Sequence, residues 1–589
     1  MKKHVSFFLF LFSALIGNSQ APDWTWLRFL NSTQSDNFTD VDVDQDGNAY
    51  VCGTFFGPSV TFAGQTFNSV ENSAAILVKR DPSGGLVWAR TIDGAECFAV
   101  EVDAAGNSYI TGYFEVDSVD FGTTVLYNPA LFNTSTQGGA NTASFLVKYD
   151  PSGTVLWAKS FDNQIDAKTE GMDVTTDQAG NCYLAGTFLI YNSIANAELT
   201  LNGTSLAMYQ GSGNEDVFLV KYNENGEFQW IKTAGGSLYE EPSSLAIDAT
   251  GNVIMGGYFV SNILEFDANT VLTQNNSPTI SRTDFFIAKY TAEGDLISAN
   301  QSFSGGSARC EEIATDSEGN CFITGYFNAD TLYYNGIGLV NSDITANSSI
   351  TPLLYDSDIF LFKVNAVGEV LWAKSFGFGE GFIADDNARG ITTDSDGNCY
   401  ITGQFRTEIN FGDINLLSNG FGDVFVTKID PDGNPLWAQS AGGSAGERGN
   451  AIAIDAANNV FISGSYDGGT VPEIFNFGSV QADYTGSPTG FLAKLSFNTV
   501  NVANTSNSVQ LAISPNPSSG NFTIQLNSLK PGEKAMLRML DISGRIVHEQ
   551  EIKKGFNGVS PQIELANGVY VLHVAFADGS VAEPLIIQN

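Results

Sequence analysis

The twelve residues DSDGNCYITGQF, Asp394 to Phe405, set two acids around a serine, then a glycine, then a strand-like run. They can be read as half of a calcium loop or as a tight turn that opens a β-strand. The chain itself decides between the two. The stretch recurs as DQDGNAYVCGTF from Asp44, DAAGNSYITGYF from Asp103 and DQAGNCYLAGTF from Asp177. It returns as DATGNVIMGGYF from Asp248, DSEGNCFITGYF from Asp316 and DAANNVFISGSY from Asp455, at spacings of 59 to 78 residues. The first Asp and the fifth-place Asn stand in all seven copies. The fourth place is Gly in six and Asn458 in the last, the two residue types that best tolerate positive φ. The third place is acidic in only three copies, at Asp46, Glu318 and Asp396. A calcium loop needs several oxygen ligands and, in its EF-hand form, a Glu at the twelfth position. Counted from Asp42, that position is Gly53. What recurs is turn chemistry: an Asp that bonds loop amides and a left-handed residue that closes a hairpin. Asp42, Asp44 and Asp46 are the residues left as calcium candidates. No other metal, cofactor or catalytic residue is expected.

A second element follows each turn. It reads ILVKRDPSGGLVWAR from Ile76, FLVKYDPSGTVLWAKS from Phe145 and FLVKYNENGEFQWIKT from Phe218. Later copies start at Phe285, Phe360 and Phe425. Each is an apolar strand, a four-residue turn with a late Gly, and another strand; DPSG has Pro and Gly where a type I turn prefers them. With the apolar run before each DxxGN, one period holds four strands, here A to D. Short strands with turn signals at a long period predict propeller blades.

The two ends sharpen this. The last C strand, FLAKL from Phe491, has no LWAK after it, and the first A strand is preceded by DWTWLRFL, a D-like strand without a partner. Pairing Trp26–Phe29 beside Phe491–Leu495 closes a circle and removes a free seam. The expected fold is all-β: a seven-bladed β-propeller over 21–497 closed by an N-terminal strand, then a linker over 498–510 and a small antiparallel β-sandwich over 511–589. The DxxGNxYxxGxF and FxxKxDxxGxxxWAK segments resemble the secreted bacterial β-propeller repeat (SBBP) family over residues 24–497. Blade four departs, with Ser298 where five blades have Trp88, Trp157, Trp230, Trp372 and Trp437. One Trp per outer strand predicts packing between blades rather than ligand stacking.

If the strands alternate in direction, the tight A–B and C–D turns share one face. The B–C and D–A connections share the other, and they read as long, dissimilar and rich in Asn, Ser and Thr. A small motif recurs within the B–C inserts (VDFG, LEFD, INFG, FNFG) and predicts a further hairpin in each. Variable loops on a rigid frame are where binding usually sits.

Composition limits the chemistry. The opening MKKHVSFFLFLFSALIGNSQ, residues 1–20, has the basic start, apolar middle and small polar end of a signal peptide. No other long apolar segment follows, so no transmembrane segment is expected in the mature chain. The chain has 27 Lys and Arg against 65 Asp and Glu, a net charge of −38, which disfavours nucleic acid and anionic membranes. Its three His are His4, His548 and His573, so the propeller has none. A Ser-His-Asp or Cys-His site and a His-ligated metal are thereby excluded there. A carboxylate pair acting on a glycosidic bond stays open. Among the six Cys, Cys52 and Cys97 are the one pair on neighbouring blades worth testing for a disulfide.

The last 79 residues alternate like strands of a small sandwich. PNPSSGNF (515–522), LDISGRIV (540–547) and LANGVYVLHV (565–574) resemble, in order, the C-terminal sorting domain of the type IX secretion system. That resemblance implies outer-membrane export and, as partners, the type IX machinery and a cell-surface sortase, which removes the domain and releases or anchors the cargo. The expectation is a monomeric, non-enzymatic recognition scaffold, secreted or held at the cell surface, with an unidentified glycan, peptide or protein ligand. The alternatives are an acid-pair polysaccharide hydrolase and a cation-dependent adhesin.

Overall fold

The computed structural model describes residues 21–587 with breaks, the longest at 129–140, 343–355 and 498–509. The expected signal peptide and almost all of the expected linker lie outside the described residues. Two compact units result, one of Asp23–Ser496 and one that includes Phe497–Asn589.

Among the described residues of the larger unit every secondary-structure element is a strand. The first sheet runs Asp36–Val43 (A), Ala49–Phe56 (B), Ser73–Arg80 (C) and Leu86–Asp93 (D), antiparallel and hydrogen-bonded in that order. The same order recurs in sheets whose A strands begin at Ala95, Ala167, Glu240, Ala308, Asn387 and Glu447. The last of these has A, B and C strands at Glu447–Ile454, Val460–Tyr466 and Thr489–Ser496, and its outer place is taken by Asp23–Phe29. Trp26 lies opposite Lys494, as Trp88 lies opposite Lys79, Trp157 opposite Lys148 and Trp372 opposite Lys363. The N-terminal strand thus sits in the register of a D strand. The arrangement is propeller-like. One hydrophobic cluster joins Phe38, Val41 and Val51 of the first sheet to Ala451, Phe461 and Leu492 of the last.

Burial follows strand position. B and C strands are sandwiched between sheets and are buried along their length, as in Cys399–Phe405 and Asp423–Ile429; hence their continuous apolar runs. Each A strand carries a β-bulge, for example between Phe38 and Asp40 or between Cys310 and Glu312. The bulge pushes the A-strand backbone against the B strand, where Gly53 or Gly325 lies. A Cβ on either would overlap the carbonyl oxygen of Asn37 or Arg309. This is the physical reason for the recurring Gly of TGxF.

Five outer-strand tryptophans each link one sheet to the next. Trp88 Nε1 donates to Pro151 O at 3.1 Å, Trp157 to Glu224 O at 3.2 Å, Trp230 to Ala292 O at 3.0 Å and Trp372 to Pro431 O at 2.8 Å. Trp26 makes the same bond to Pro82 O at 3.1 Å. Each ring covers the turn glycine of the next sheet, at Gly84, Gly153, Gly226, Gly294 and Gly433. Beside Ser298 the equivalent Gly368 has open space instead.

The B–C inserts hold the expected hairpins, such as Ser118–Asp120 with Val125–Tyr127 and Glu408–Phe411 with Ile414–Leu417. These pack at the rim rather than over the face. Phe411 lies 5.2 Å from Phe425 of its own sheet and 5.0 Å from Phe376 of the preceding one, and Gly377 bridges to Asn410. In the fifth sheet the hairpin strand Thr331–Tyr334 extends the fourth sheet directly. Capping an outer edge this way removes a free edge. The D–A connections differ from the expected long loops: the first is a single residue, Gly94, between Asp93 and Ala95.

The C-terminal unit has a sheet of Gln510–Ser514, Thr523–Asn527 and Asn557–Val559. A second sheet has Lys534–Leu540, Ile546–Lys553, Gly568–Phe576 and Gly579–Ile587. Phe522 and Ile524 share one buried cluster with Leu537, Leu572 and Leu585. Among the described residues no helix is long and apolar enough to cross a membrane.

Candidate functional site

The DxxGN turns come first because they carried the metal question. Asp394 Oδ1 accepts from Asp396 N and Asn398 N, both at 3.0 Å, and the Asn398 side-chain amide reaches both carboxylate oxygens at 2.9 and 2.8 Å. Tyr400 Oη donates to Oδ2 at 3.0 Å, and Lys428 Nζ lies 2.9 Å from the same oxygen. The Lys comes from the FxxK motif of the C strand, and the pair recurs as Lys79–Asp44, Lys148–Asp103, Lys289–Asp248 and Lys363–Asp316. Burial would raise the Asp394 pKa, but the hydrogen bonds from Lys428 and Asn398 and the Lys428 charge hold it below the ordinary value. An ammonium therefore stands where a calcium ion would have to be. Gly397 closes the turn at φ 78°, and Asn458 does so at 60° in the copy that lacks the Gly. The three calcium candidates part company: Asp44 is engaged by Lys79, Asp46 is exposed, and Asp42 faces the axis of the unit. These residues do not fit a calcium ion. Among the described residues no group of three or more His, Cys, Asp or Glu is placed to hold a metal.

At the axis, the A strands of all seven sheets line one cavity of about 170 Å³. Its polar groups include Asp40, Asp42, Glu101, Asp173 and Glu312. Each A strand presents a free inner edge there, and buried N–H groups need acceptors. The carboxylates supply them from the neighbouring sheet. Asp40 and Asp42 each accept at 2.7 Å from the second sheet, from Val100 N and Val102 N. Glu101 accepts from Thr176 N at 3.1 Å, Asp173 from Leu245 N at 2.6 Å and Glu312 from Ile391 N at 2.8 Å. Between the fourth and fifth sheets Ser244 Oγ does this for Ile313 N at 3.1 Å. Burial pushes these acids up: Asp42 to about 6 and Asp173 to about 7, against the pull of the same N–H bonds. Asp40, Glu101 and Glu312 move the same way for the same first cause.

Toward the ends of the B strands, the side of the B–C inserts, the A strands carry a belt of half-buried side chains, which we call the mouth. The residue seven before each turn Asp is in turn Asn37, Glu96, Glu170, Glu241, Arg309, Asn387 and Arg448. Each faces a B-strand partner; for Glu96, Glu241 and Arg309 these are Tyr113, Tyr258 and Tyr326. Tyr258 Oη donates to Glu241 at 2.7 Å, and Arg309 stacks on the Tyr258 ring at 4.2 Å. Lys168 bridges Glu170 at 3.1 Å and Glu215 at 2.7 Å. The bulge residues Phe98, Glu311 and Arg389 complete the belt. Phe98 lies edge-on to Tyr113 at 5.5 Å. Burial raises the Glu96, Glu241 and Glu311 pKa values; the Arg389 and Arg309 charges oppose this at Glu311.

A larger cavity of about 480 Å³ lies between the outer strands of the second and third sheets, with Lys159 and Glu227 as its charged lining. Cys52 and Cys97 are neighbours across the first two sheets, buried and as free thiols. The mouth residues escaped the sequence reading because attention went to what the repeats share. Their signal was present, as a constant offset of seven from the turn Asp at which the residue changes from repeat to repeat.

Residues 512–588 match the family described as secretion system C-terminal sorting domain. Among curated proteins, an uncharacterized WD repeat-containing protein of Acanthamoeba polyphaga mimivirus is 25% identical over 387 residues, 55% of this chain and 27% of that protein. Regulatory protein FlaEY of Caulobacter vibrioides is 25% identical over 280 residues, 45% of this chain and 28% of that protein. The chain thus spans little more than a quarter of the length of either. Among solved structures, a protein of unknown function from Dyadobacter fermentans aligns with a TM-score of 0.36 and 9% identity, covering 81% of this chain and 99% of that one. The Dos1 propeller aligns with a TM-score of 0.35 and 7% identity over 80% and 95%. The C-terminal residues are a type IX sorting domain, and they direct this chain out of the cell and to its surface.

Proposed function

We propose that the chain is an exported recognition scaffold. In this reading Asp23–Ser496 is a seven-bladed β-propeller of the secreted bacterial repeat type, closed by its N-terminal strand and monomeric. The C-terminal unit is a sandwich that engages the type IX machinery and its sortase. The ligand, an extracellular glycan, peptide or protein, sits on the mouth and the insert side around it. The observation that carries this is the belt of half-buried side chains, Glu, Tyr and Arg among them, that the A strands and their B-strand partners carry on the insert side.

Two features favour binding over catalysis. The axial carboxylates accept from backbone N–H groups of the neighbouring sheet, which gives them a structural role that needs no substrate. Their cavity of about 170 Å³ has room for about five waters, below the ~300 Å³ at which ligand pockets begin. A glycan and peptide array probed with the mature chain tests the reading. It expects a ligand whose signal falls in Tyr258→Ala and Arg389→Ala. Turnover on a polysaccharide panel, abolished by changing a single axial carboxylate, would replace it with the hydrolase.

A further inference from the structure

Asp216 opens the C strand of the third sheet, Asp216–Tyr222, and Glu240 opens the A strand of the fourth, Glu240–Ile247. Both have 0% exposure, and they meet on the insert side of the seam between the two sheets. A single N–H fixes how closely: Gly236 N lies 3.3 Å from Asp216 Oδ1 and 3.1 Å from Glu240 Oε2. The pair Gly235–Gly236 lets the chain pass so near. A Cβ on Gly235 would overlap Asp216 Oδ1, and one on Gly236 would lie 2.5 Å from Ser261 Oγ. The arrangement has a second copy between the sixth and seventh sheets. There Gly443 N donates to Glu447 Oε2 at 3.0 Å, and a Cβ on Gly442 would stand 2.6 Å from both Asp423 Oδ1 and Glu447 Oε2.

Counting donors at the first copy shows what is missing. Tyr209 N serves Asp216 Oδ2 at 2.7 Å, Gly236 N serves both acids, and Ser261 adds a hydrogen bond to Glu240. Glu240 Oε1 is nevertheless buried with no hydrogen-bond partner among the described residues, a costly state for a charged oxygen. The charged groups on the surrounding elements do not fill the gap. Lys168 of the third sheet is bound to Glu170 and Glu215. Arg309 of the fifth lies on the Tyr258 ring beside Glu241. The hairpin strand Ile263–Asp267, which bridges to Gly235, brings two more acids, Glu265 and Asp267. The one ionisable side chain that acts on Asp216 is Glu240 itself. Two ionised carboxylates do not share so dry a site, so one of them keeps a proton. Burial accordingly raises Asp216 to about 7 and Glu240 to about 8.

We propose that Asp216 and Glu240 form a proton-dependent clasp: one proton shared by the two carboxyl groups fastens the third sheet to the fourth on the insert side, and its loss to solvent as the pH rises releases the seam around Gly235–Tyr239. The proton supplies the donor that Glu240 Oε1 lacks. Without it two negative charges face each other out of reach of water. The segment between them and solvent carries Leu238 and Tyr239, both exposed, and lifting it rehydrates the pair. The sign follows from linkage. The folded values lie above the ~4 of an unfolded carboxyl, so rising pH favours opening until it passes them.

The test is hydrogen exchange of residues 235–240 in the mature chain from pH 6 to pH 9, read by mass spectrometry and corrected for the pH dependence of free amides. Protection falls about tenfold per pH unit toward the folded values and then levels off, because each opening releases one proton. Glu240→Gln puts an amide N–H where the shared proton was, and its protection is the same at pH 6 and pH 8. Asp216→Asn does this from the other side, which keeps the test decisive if one variant does not fold. Protection in the wild type that does not change with pH, or a slope that both variants keep, overturns the proposal. Calcium chloride that restores protection at pH 8 in the wild type but not in Glu240→Gln also overturns it, since a metal ion would then hold the pair in place of a proton.

Discussion

Two sets of carboxylates sit within four residues of one another, near the turn end of the same A strands, and meet opposite fates. At the turn end, Asp44, Asp248 and Asp394 are each paired with a lysine, and their pKa values are lowered. A few residues away, Asp42 and Asp173 face the axis with only backbone N–H donors and like-charged neighbours, and burial pushes them up to about 6 and about 7. Both sets are shielded from water. Depth and partner act together: the axial set is desolvated more completely and has backbone N–H donors alone, whereas the turn set gains the bonds of its Asn and the lysine charge against a smaller desolvation. The turn set locks each sheet internally, and the axial set staples one sheet to the next.

The sharpest way to break the comparison is to remove one turn carboxylate. Lys428 and Asp394 have side-chain exposures of 1% and 0%. Asp394→Ala would leave the ammonium buried and alone, and a loss of about 3–5 kcal/mol is expected in denaturant unfolding. The pH profile tests both sets at once. Asp42 and Asp173 have folded pKa values above the unfolded ~4, so their charged forms weaken the fold. Lowering the pH from 8 toward 5 protonates them and raises stability. Asp44 and Asp394 have lowered folded values, so their contribution is present above ~4 and is lost as the pH falls through their folded values. A melting temperature that peaks near pH 5 is expected, and a profile that falls steadily from pH 8 would contradict the assignment. Asp173→Asn keeps an acceptor for Leu245 N and removes the charge. It is expected to stabilise the protein by roughly 1–2 kcal/mol at pH 8 and to change little at pH 5. Ser298→Trp touches neither set. It would cover Gly368 as the other tryptophans cover their turns, adding about 1 kcal/mol with the pH profile unchanged.

The parts of this fold that were legible in the sequence are the parts that repeat. The DxxGN turn, the strand order, the hairpin within each insert, the packing role of the tryptophans and the pairing of Trp26 beside the Phe491 strand all follow from aligning the chain with itself. Three things were hidden. The lysine of FxxK and the turn Asp repeat together, but their contact spans two strands and needs the sheet register to be seen. The hairpins of the inserts were legible, but their packing was not, because the contact of Phe411 with Phe376 belongs to the preceding sheet. The axial and mouth side chains were hidden for a different reason. The bulge shifts their phase, and their identity varies from repeat to repeat, so Glu96 and Arg309 look unrelated until both are counted back from Asp103 and Asp316.

The account stands or falls with the N-terminal strand completing the last sheet. Its most direct test is thermal unfolding of the mature chain lacking Asp23–Phe29, with and without a synthetic peptide of residues 22–30. The account predicts a large drop in melting temperature on deletion and recovery when the peptide is added. An unchanged melting temperature, or a loss the peptide cannot restore, would contradict it.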